Sequence, residues 1–288
     1  MRGLIIKGIG GFYYIKTPEG IIQARGRGIF KKEGITLTVG DIVDVERLDD
    51  GDGVINFITP RKNIFIRPPI ANVDCFVVAF ATTKPKPNFA TIDKFLVMAE
   101  MNNTEAIICV NKADLVSDAD LDKIKEIYAG EYPVVAVSCI TGQGVDEIEE
   151  LLAGKKACLA GPSGVGKSTL TNLLIPEADM ETGEISTKTG RGKHTTRHVE
   201  IFDMKKGGMI FDTPGFTSFE IMEADLDNLQ DFYPEIAKRK GQCRYDNCRH
   251  LSEPQCAVRD AAEAGEIHQF RYRSYLANME EIKNKKKY

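Results

Sequence analysis

The stretch Gly161-Pro162-Ser163-Gly164-Val165-Gly166-Lys167-Ser168 fits the pattern G-x-x-x-x-G-K-[S/T] at every fixed position. No other feature restricts the fold of this chain as strongly. The pattern works only where a strand runs into a tight turn and the turn opens a helix. Here an apolar run at 157–160 precedes it, and Thr169-Leu170-Thr171-Asn172-Leu173-Leu174 follows with helical character. Glycines let backbone N–H groups turn inward around an anion. The helix N-terminus adds the positive end of its dipole. Lys167 is placed to reach the β- and γ-phosphates of a nucleotide, and the Ser168 hydroxyl to ligate Mg²⁺. Residues Gly161 through Thr169 are therefore the candidate phosphate contacts.

The surrounding pattern agrees with an α/β fold. CFVVAFA (75–81), EAIICVNKAD (105–114), PVVAVSCI (133–140) and KKACLAGPSG (155–164) are apolar strands that end in polar loops. Segments of helical periodicity lie between them at 91–101, 118–128 and 144–153. Fully apolar strands alternating with helices imply a parallel sheet covered on both faces. Cys75, Cys109, Cys139 and Cys158 fall within these runs and read as small core residues.

Two further motifs assign the nucleotide. Asp212-Thr213-Pro214-Gly215 follows the apolar Met209-Ile210-Phe211. Asp212 is placed to hold Mg²⁺ through water, and the Gly215 N–H to meet the γ-phosphate. Asn111-Lys112-Ala113-Asp114 ends another apolar strand. Guanine presents N1–H and N2–H₂ donors side by side, and the Asp114 carboxylate can accept both. Adenine would leave that charge unpaired. Asn111 would contact the base or brace neighbouring loops, and the Lys112 stem would lie over the base plane. In Ser138-Cys139-Ile140 a backbone N–H could meet guanine O6. The order is rotated: the base motif (111) and Ser138 precede the phosphate loop (161), and Asp212 follows it. A circular permutation preserves the sheet, because chain ends lie at the surface and a new connection can join the old ones.

The flanks differ from the centre. Residues 1–66 read as five short strands with glycine-rich turns, one of them GIIQARGRGIF (20–30), and Asp50-Gly51-Asp52-Gly53 marks a hairpin. That pattern suggests a small barrel of the OB type, an architecture that binds RNA in some proteins and protein partners in others. Two prolines make 64–69 read as a linker. Beyond it lies the nucleotide domain, 67–222. A third domain, 223–288, begins with a helical stretch (223–238), continues through a Cys/His loop, and ends in a polar helix from Arg259 onward. Cys243-x₄-Cys248-x-His250-x₅-Cys256 offers three thiolates and one imidazole, a closed tetrahedral set suited to one structural Zn²⁺. Tyr272 and Tyr275, three apart on the last helix, read as packing residues.

Charge is uneven. Residues 1–66 carry 10 Lys/Arg against 8 Asp/Glu, residues 67–222 carry 16 against 22, and residues 238–288 carry 12 against 7. The two ends suit an anionic partner and the centre does not. No apolar run reaches the ~18–20 residues of a membrane span, and the charged N-terminus is unlike a signal sequence. The reading is a cytoplasmic protein with no membrane partner. A monomer is expected, since no extended apolar stripe is left over.

A rotated nucleotide domain behind a small barrel, with GPSGVGKS followed by RGKHTT (191–196), resembles the bacterial ribosome small subunit-dependent GTPase A family, also called RsgA/YjeQ, over essentially the whole chain. The resemblance implies a slow GTPase, stimulated by the small (30S) ribosomal subunit, that assists late maturation of that subunit and touches its 16S rRNA. Phe216 stands where many G proteins have a glutamine that orients the attacking water. A phenyl ring cannot do this, and His194 in the polar loop is the candidate to position water, as the resemblance also implies. Thr195 or Thr196 could supply a hydroxyl to Mg²⁺. Arg191, Lys193 and Arg197 suit either RNA or nucleotide phosphate. The alternative is a GTP-sensing switch that binds RNA or protein with little catalysis of its own.

Overall fold

Inward and outward residues alternate along the first strands, as a sheet with one buried face demands. β1 (Arg2–Ile9), β2 (Phe12–Thr17) and β3 (Gly20–Gly26) form a meander, followed by a short helix α1 (Gly28–Lys32) and the hairpin of β4 (Ile42–Arg47) and β5 (Gly53–Ile58). Ile5, Ile15, Ile22, Val43, Val45 and Ile55 point inward and are buried. β3 pairs parallel with β5, and β4 returns to β1, which closes a five-stranded barrel in the strand order of the OB fold. The computed structural model describes residues 1–49, 51–175, 199–213 and 224–285.

A ribbon of β6 (Ile64–Ile66) and β7 (Pro69–Ala71) stands where a linker was expected. The prolines occupy its turn and edge, positions that give up no ladder hydrogen bond. After it come β8 (Cys75–Ala81), α2 (Phe89–Met101), β9 (Glu105–Asn111), α3 (Asp118–Glu126), β10 (Val134–Val137), α4 (Val145–Leu152), β11 (Lys156–Ala160) and α5 (Lys167–Leu174). The strands β12 (Glu200–Asp203) and β13 (Met209–Asp212) follow, then α6 (Pro234–Ala237), α7 (Ala257–Glu263) and α8 (Gln269–Lys285). Asn88 caps α2 by accepting from Thr91 N, and Ser117 caps α3 by accepting from Asp120 N.

The chain divides into two compact units. The first is built from Met1–Cys75, Glu149–Leu159 and Ser168–Phe216. In it β12 adds antiparallel to the barrel at Lys7↔Glu200, β13 pairs antiparallel with β12, and β11 runs parallel to β13. The Asp41 carboxylate is fully buried at the barrel end, where Arg61 grips it through Nε at 2.7 Å and Nη2 at 2.8 Å. The second unit is built from Phe76–Ile148, Ala160–Lys167 and Thr217–Tyr288. Its strands lie in the order β10-β9-β8, with β9 and β10 parallel. β8 is buried along its whole length, as its unbroken apolar run requires. α8 packs on α2 in the same unit.

Four expectations need correction. The run 20–30 stays extended only to Gly26 and then turns into α1. The stretch 223–238 is not one helix: among the described residues a 3₁₀ turn, Leu229–Phe232, gives way to α6 at Pro234, which cannot donate to a preceding turn. The last helix is two, divided at Gly265, which adopts φ +81°. Cys75, Cys109 and Cys158 are core residues, but Cys139 is half-buried in the loop after β10. No helix among the described residues is long and apolar enough to cross a membrane.

Candidate nucleotide site and metal centre

β11 ends at Ala160, and the chain turns at once through Gly161. A side chain at Gly161 would collide with the Ala79 carbonyl of β8, and its φ of +137° suits glycine alone. The loop therefore sits directly against backbone. Lys167, the first residue of α5, donates from Nζ to the Gly161 and Pro162 carbonyls, both at 2.7 Å. Burial pushes its ammonium down to about 8.

The strand β9 delivers Asn111 to the same place. Asn111 is 3% exposed, and a side chain at Gly166 would run into its amide. Its Nδ2 donates to Val165 O at 2.7 Å. Its Oδ1 accepts from Lys112 N at 2.7 Å and Cys139 N at 3.3 Å. One amide thus braces the phosphate loop and the Ser138 loop together. Lys112 has φ +62°, uncommon outside glycine, and Nζ donates to the carbonyls of Lys84 and Gly164. Thr82 Oγ1 donates to Lys112 O at 2.9 Å. Neither Thr82 nor Lys84 was singled out by sequence. Asp114, in a 3₁₀ turn just beyond, has an exposed carboxylate. Ser138 is fully buried and its Oγ accepts from Thr141 N at 3.2 Å, whereas Ile140 is 86% exposed.

In the first unit, Cys158 lies beside Phe211 in the parallel pair, so β13 delivers Asp212 to the edge at which β11 also ends. Ser168 follows Lys167 on α5 and is exposed. A hydroxyl and a carboxylate are hard oxygen donors and fit a magnesium ion. Thr195, Thr196, His194, Gly215 and Phe216 lie outside the described residues.

The structure brings Cys243, Cys248, His250 and Cys256 together, with one ligand atom from each within 4.8 Å of the others. The three sulfurs lie 3.5, 3.5 and 3.3 Å from His250 Nδ1, and the Cys243 and Cys256 sulfurs are 3.9 Å apart. A tetrahedral ion bound at ordinary Zn–S and Zn–N lengths would separate sulfur from nitrogen by about 3.5 Å and sulfur from sulfur by about 3.8 Å. The cluster thus has the dimensions of a closed structural metal site. Outer partners hold it. His250 Nε2 donates to Gln230 Oε1 at 2.9 Å, which leaves the Nδ1 lone pair facing the sulfurs. The Glu253 carboxylate accepts from the backbone N–H groups of Arg249, Leu251 and Ser252. Tyr272 and Tyr275 donate to the carbonyls of His250 and Arg249, both at 2.8 Å, and are packing residues as expected. Gln230 carries no sequence signal, because it stands outside the ligand spacing.

Comparison with known proteins accords with this geometry. The sequence model of the RsgA GTPase family matches residues 58–222, and that of the RsgA N-terminal domain matches residues 2–55. The small ribosomal subunit biogenesis GTPase RsgA of Caldanaerobacter subterraneus is 42% identical over 288 residues, covering 100% of this chain and 97% of the relative. That of Carboxydothermus hydrogenoformans is 45% identical over 284 residues, covering 98% of each. Among solved structures, YjeQ from Thermotoga maritima superposes with a TM-score of 0.84 at 35% identity, covering 98% of both chains. YloQ, a circularly permuted GTPase, gives 0.84 at 38% identity, covering 99% of this chain and 95% of the other.

Proposed function

The chain belongs to the RsgA GTPase family and is a GTP hydrolase, and from that premise we propose that it works on the small (30S) ribosomal subunit, assisting late maturation through contact with the 16S rRNA. The observation that best supports a guanine-nucleotide site is Asn111, whose one amide bonds both Val165 of the phosphate loop and Cys139 beside Ser138.

In this reading the backbone N–H groups of the loop 161–169, except at position 162, where proline has none, cradle the phosphates. Lys167 exchanges its two loop carbonyls for the β- and γ-oxygens. Asp114 accepts from guanine N1–H and N2–H₂, the Lys112 stem covers the base, and an N–H of the Ser138 loop meets O6. Ser168, Thr195 or Thr196, and Asp212 would hold Mg²⁺, directly or through water, and the ion would supply neutralisation of the phosphate charge. His194 positions the attacking water in line with the leaving oxygen of GDP, and the Gly215 N–H senses the γ-phosphate. A site lacking the usual glutamine turns over slowly until a partner completes it.

The three-thiolate, one-imidazole set suits zinc in a structural role. We assign residues 1–66 to the barrel, 67–222 to the permuted G domain and 223–288 to the zinc module, in a cytoplasmic monomer whose basic ends face rRNA. Co-sedimentation with purified small subunits, with a non-hydrolysable GTP analogue and with GDP, tests the partner. The expected result is binding to the small subunit that is stronger with the analogue. Binding no stronger than to large subunits would overturn the assignment.

A further inference from the structure

In the second unit, α8 packs along α2, with Lys94 paired to Glu281, Asn278 Nδ2 donating to the Ala90 carbonyl and Phe270 against Phe89, and one guanidinium of α8 reaches α2 and α6 together. Arg271 is 2% exposed. Its Nη1 lies 2.6 Å from Asp93 Oδ1 on α2, and its Nε and Nη2 donate to the two oxygens of Glu235 on α6 at 2.6 and 3.2 Å. The rings of Tyr233, Tyr128 and Tyr132 lie over it at 4.8, 5.3 and 5.8 Å. Asp93 is fully buried and also accepts from the Tyr128 hydroxyl at 3.0 Å. Two carboxylates thus share one cation out of contact with water.

Each side of this junction leads to a functional loop. On the α8 side, the next residue, Tyr272, and then Tyr275 hold the carbonyls of His250 and Arg249 in the metal loop. On the other side, α2 starts five residues beyond Lys84, whose carbonyl receives Lys112, and Tyr128 lies two residues beyond the end of α3, the helix that follows Asp114. Asp93 of α2, before the base motif, and Tyr128, just past α3 and after the motif, meet the metal module at Arg271.

We propose that Arg271 is a positioning residue for guanine-nucleotide binding: through Asp93 it makes the geometry of residues 111–114 depend on the metal module. The inference rests on reading 111–114 as the base-reading loop. Loss of the metal loosens the loop that Tyr272 and Tyr275 grip, and α8 loses its outer support. Arg271 cannot follow α8 alone, because that would strand a buried carboxylate, a costly state. α2 therefore shifts with α8, and the Lys84 and Lys112 contact shifts with α2.

GDP affinity of the full chain, with magnesium in excess and no ribosomal subunit, tests this before and after the module's metal is stripped by a chelator. The variant Asp93→Asn leaves Arg271 paired one-to-one with Glu235 and removes the charge by which α2 holds the guanidinium. Arg271→Lys, which keeps the charge and loses the fork, is the second variant. Stripping the wild type should weaken GDP binding about 5-fold. Both variants should bind GDP more weakly while retaining a full equivalent of metal, and stripping should weaken GDP binding by Asp93→Asn clearly less than it weakens binding by the wild type. The proposal is overturned if stripping leaves wild-type GDP affinity unchanged, or if Asp93→Asn responds to stripping as the wild type does. A wild-type chain that binds no GDP overturns instead the nucleotide reading on which it rests.

Discussion

Asn111 Nδ2 donates to the carbonyl oxygen of Val165 at 2.7 Å, across 54 residues of chain. The same side chain accepts from Lys112 N and Cys139 N, so three loops share one buried amide. Asn111→Ala removes all three bonds and leaves buried groups unpaired, at about 1–3 kcal/mol each. Affinity for GTP and GDP should fall about 10-fold or more in a nucleotide titration. Unchanged affinity would mean that the loops do not need the brace.

Lys167 gives the site a pH dependence. Burial holds its ammonium at about 8 in the free chain, and a phosphate partner raises that value. Below about pH 8 the charged form is already present. Above it, binding must take up a proton, so affinity should fall by up to about 10-fold per pH unit until the bound value is reached. Titrations from pH 7 to 9.5 check this. A flat profile would show that Lys167 stays charged throughout.

The nucleotide loops and the metal ligands were legible in sequence because each is a short run with fixed spacing. The barrel strands were legible through alternation, and β8 to β11 through unbroken apolar runs. What escaped were partners far along the chain. Gln230 stands 20 residues from His250, and Arg271 stands 36 from Glu235. Periodicity tells which face of an element is buried but not what meets it there. The breaks at Pro234 and Gly265 were readable in principle, yet the polar pattern on either side hid them.

Gln230 tests the value of an outer partner. Gln230→Leu removes the acceptor that fixes the His250 proton on Nε2. Metal affinity should drop about 10-fold, with one ion still bound at saturation. A competition titration against a chromophoric chelator measures this, and wild-type affinity in the variant would make the contact incidental.

At the barrel, Arg61→Met should be costly. It leaves Asp41, 0% exposed, as a buried carboxylate without its bidentate partner. A loss of about 3–5 kcal/mol is expected in denaturant unfolding. A loss under about 1 kcal/mol would show that the barrel end opens to water.

The most direct test of the central claim is steady-state turnover of GTP and of ATP, with and without purified small ribosomal subunits. The expected result is slow, GTP-selective hydrolysis that rises sharply when the subunit is added. Equal use of ATP, or GTP turnover indifferent to the subunit, would contradict it.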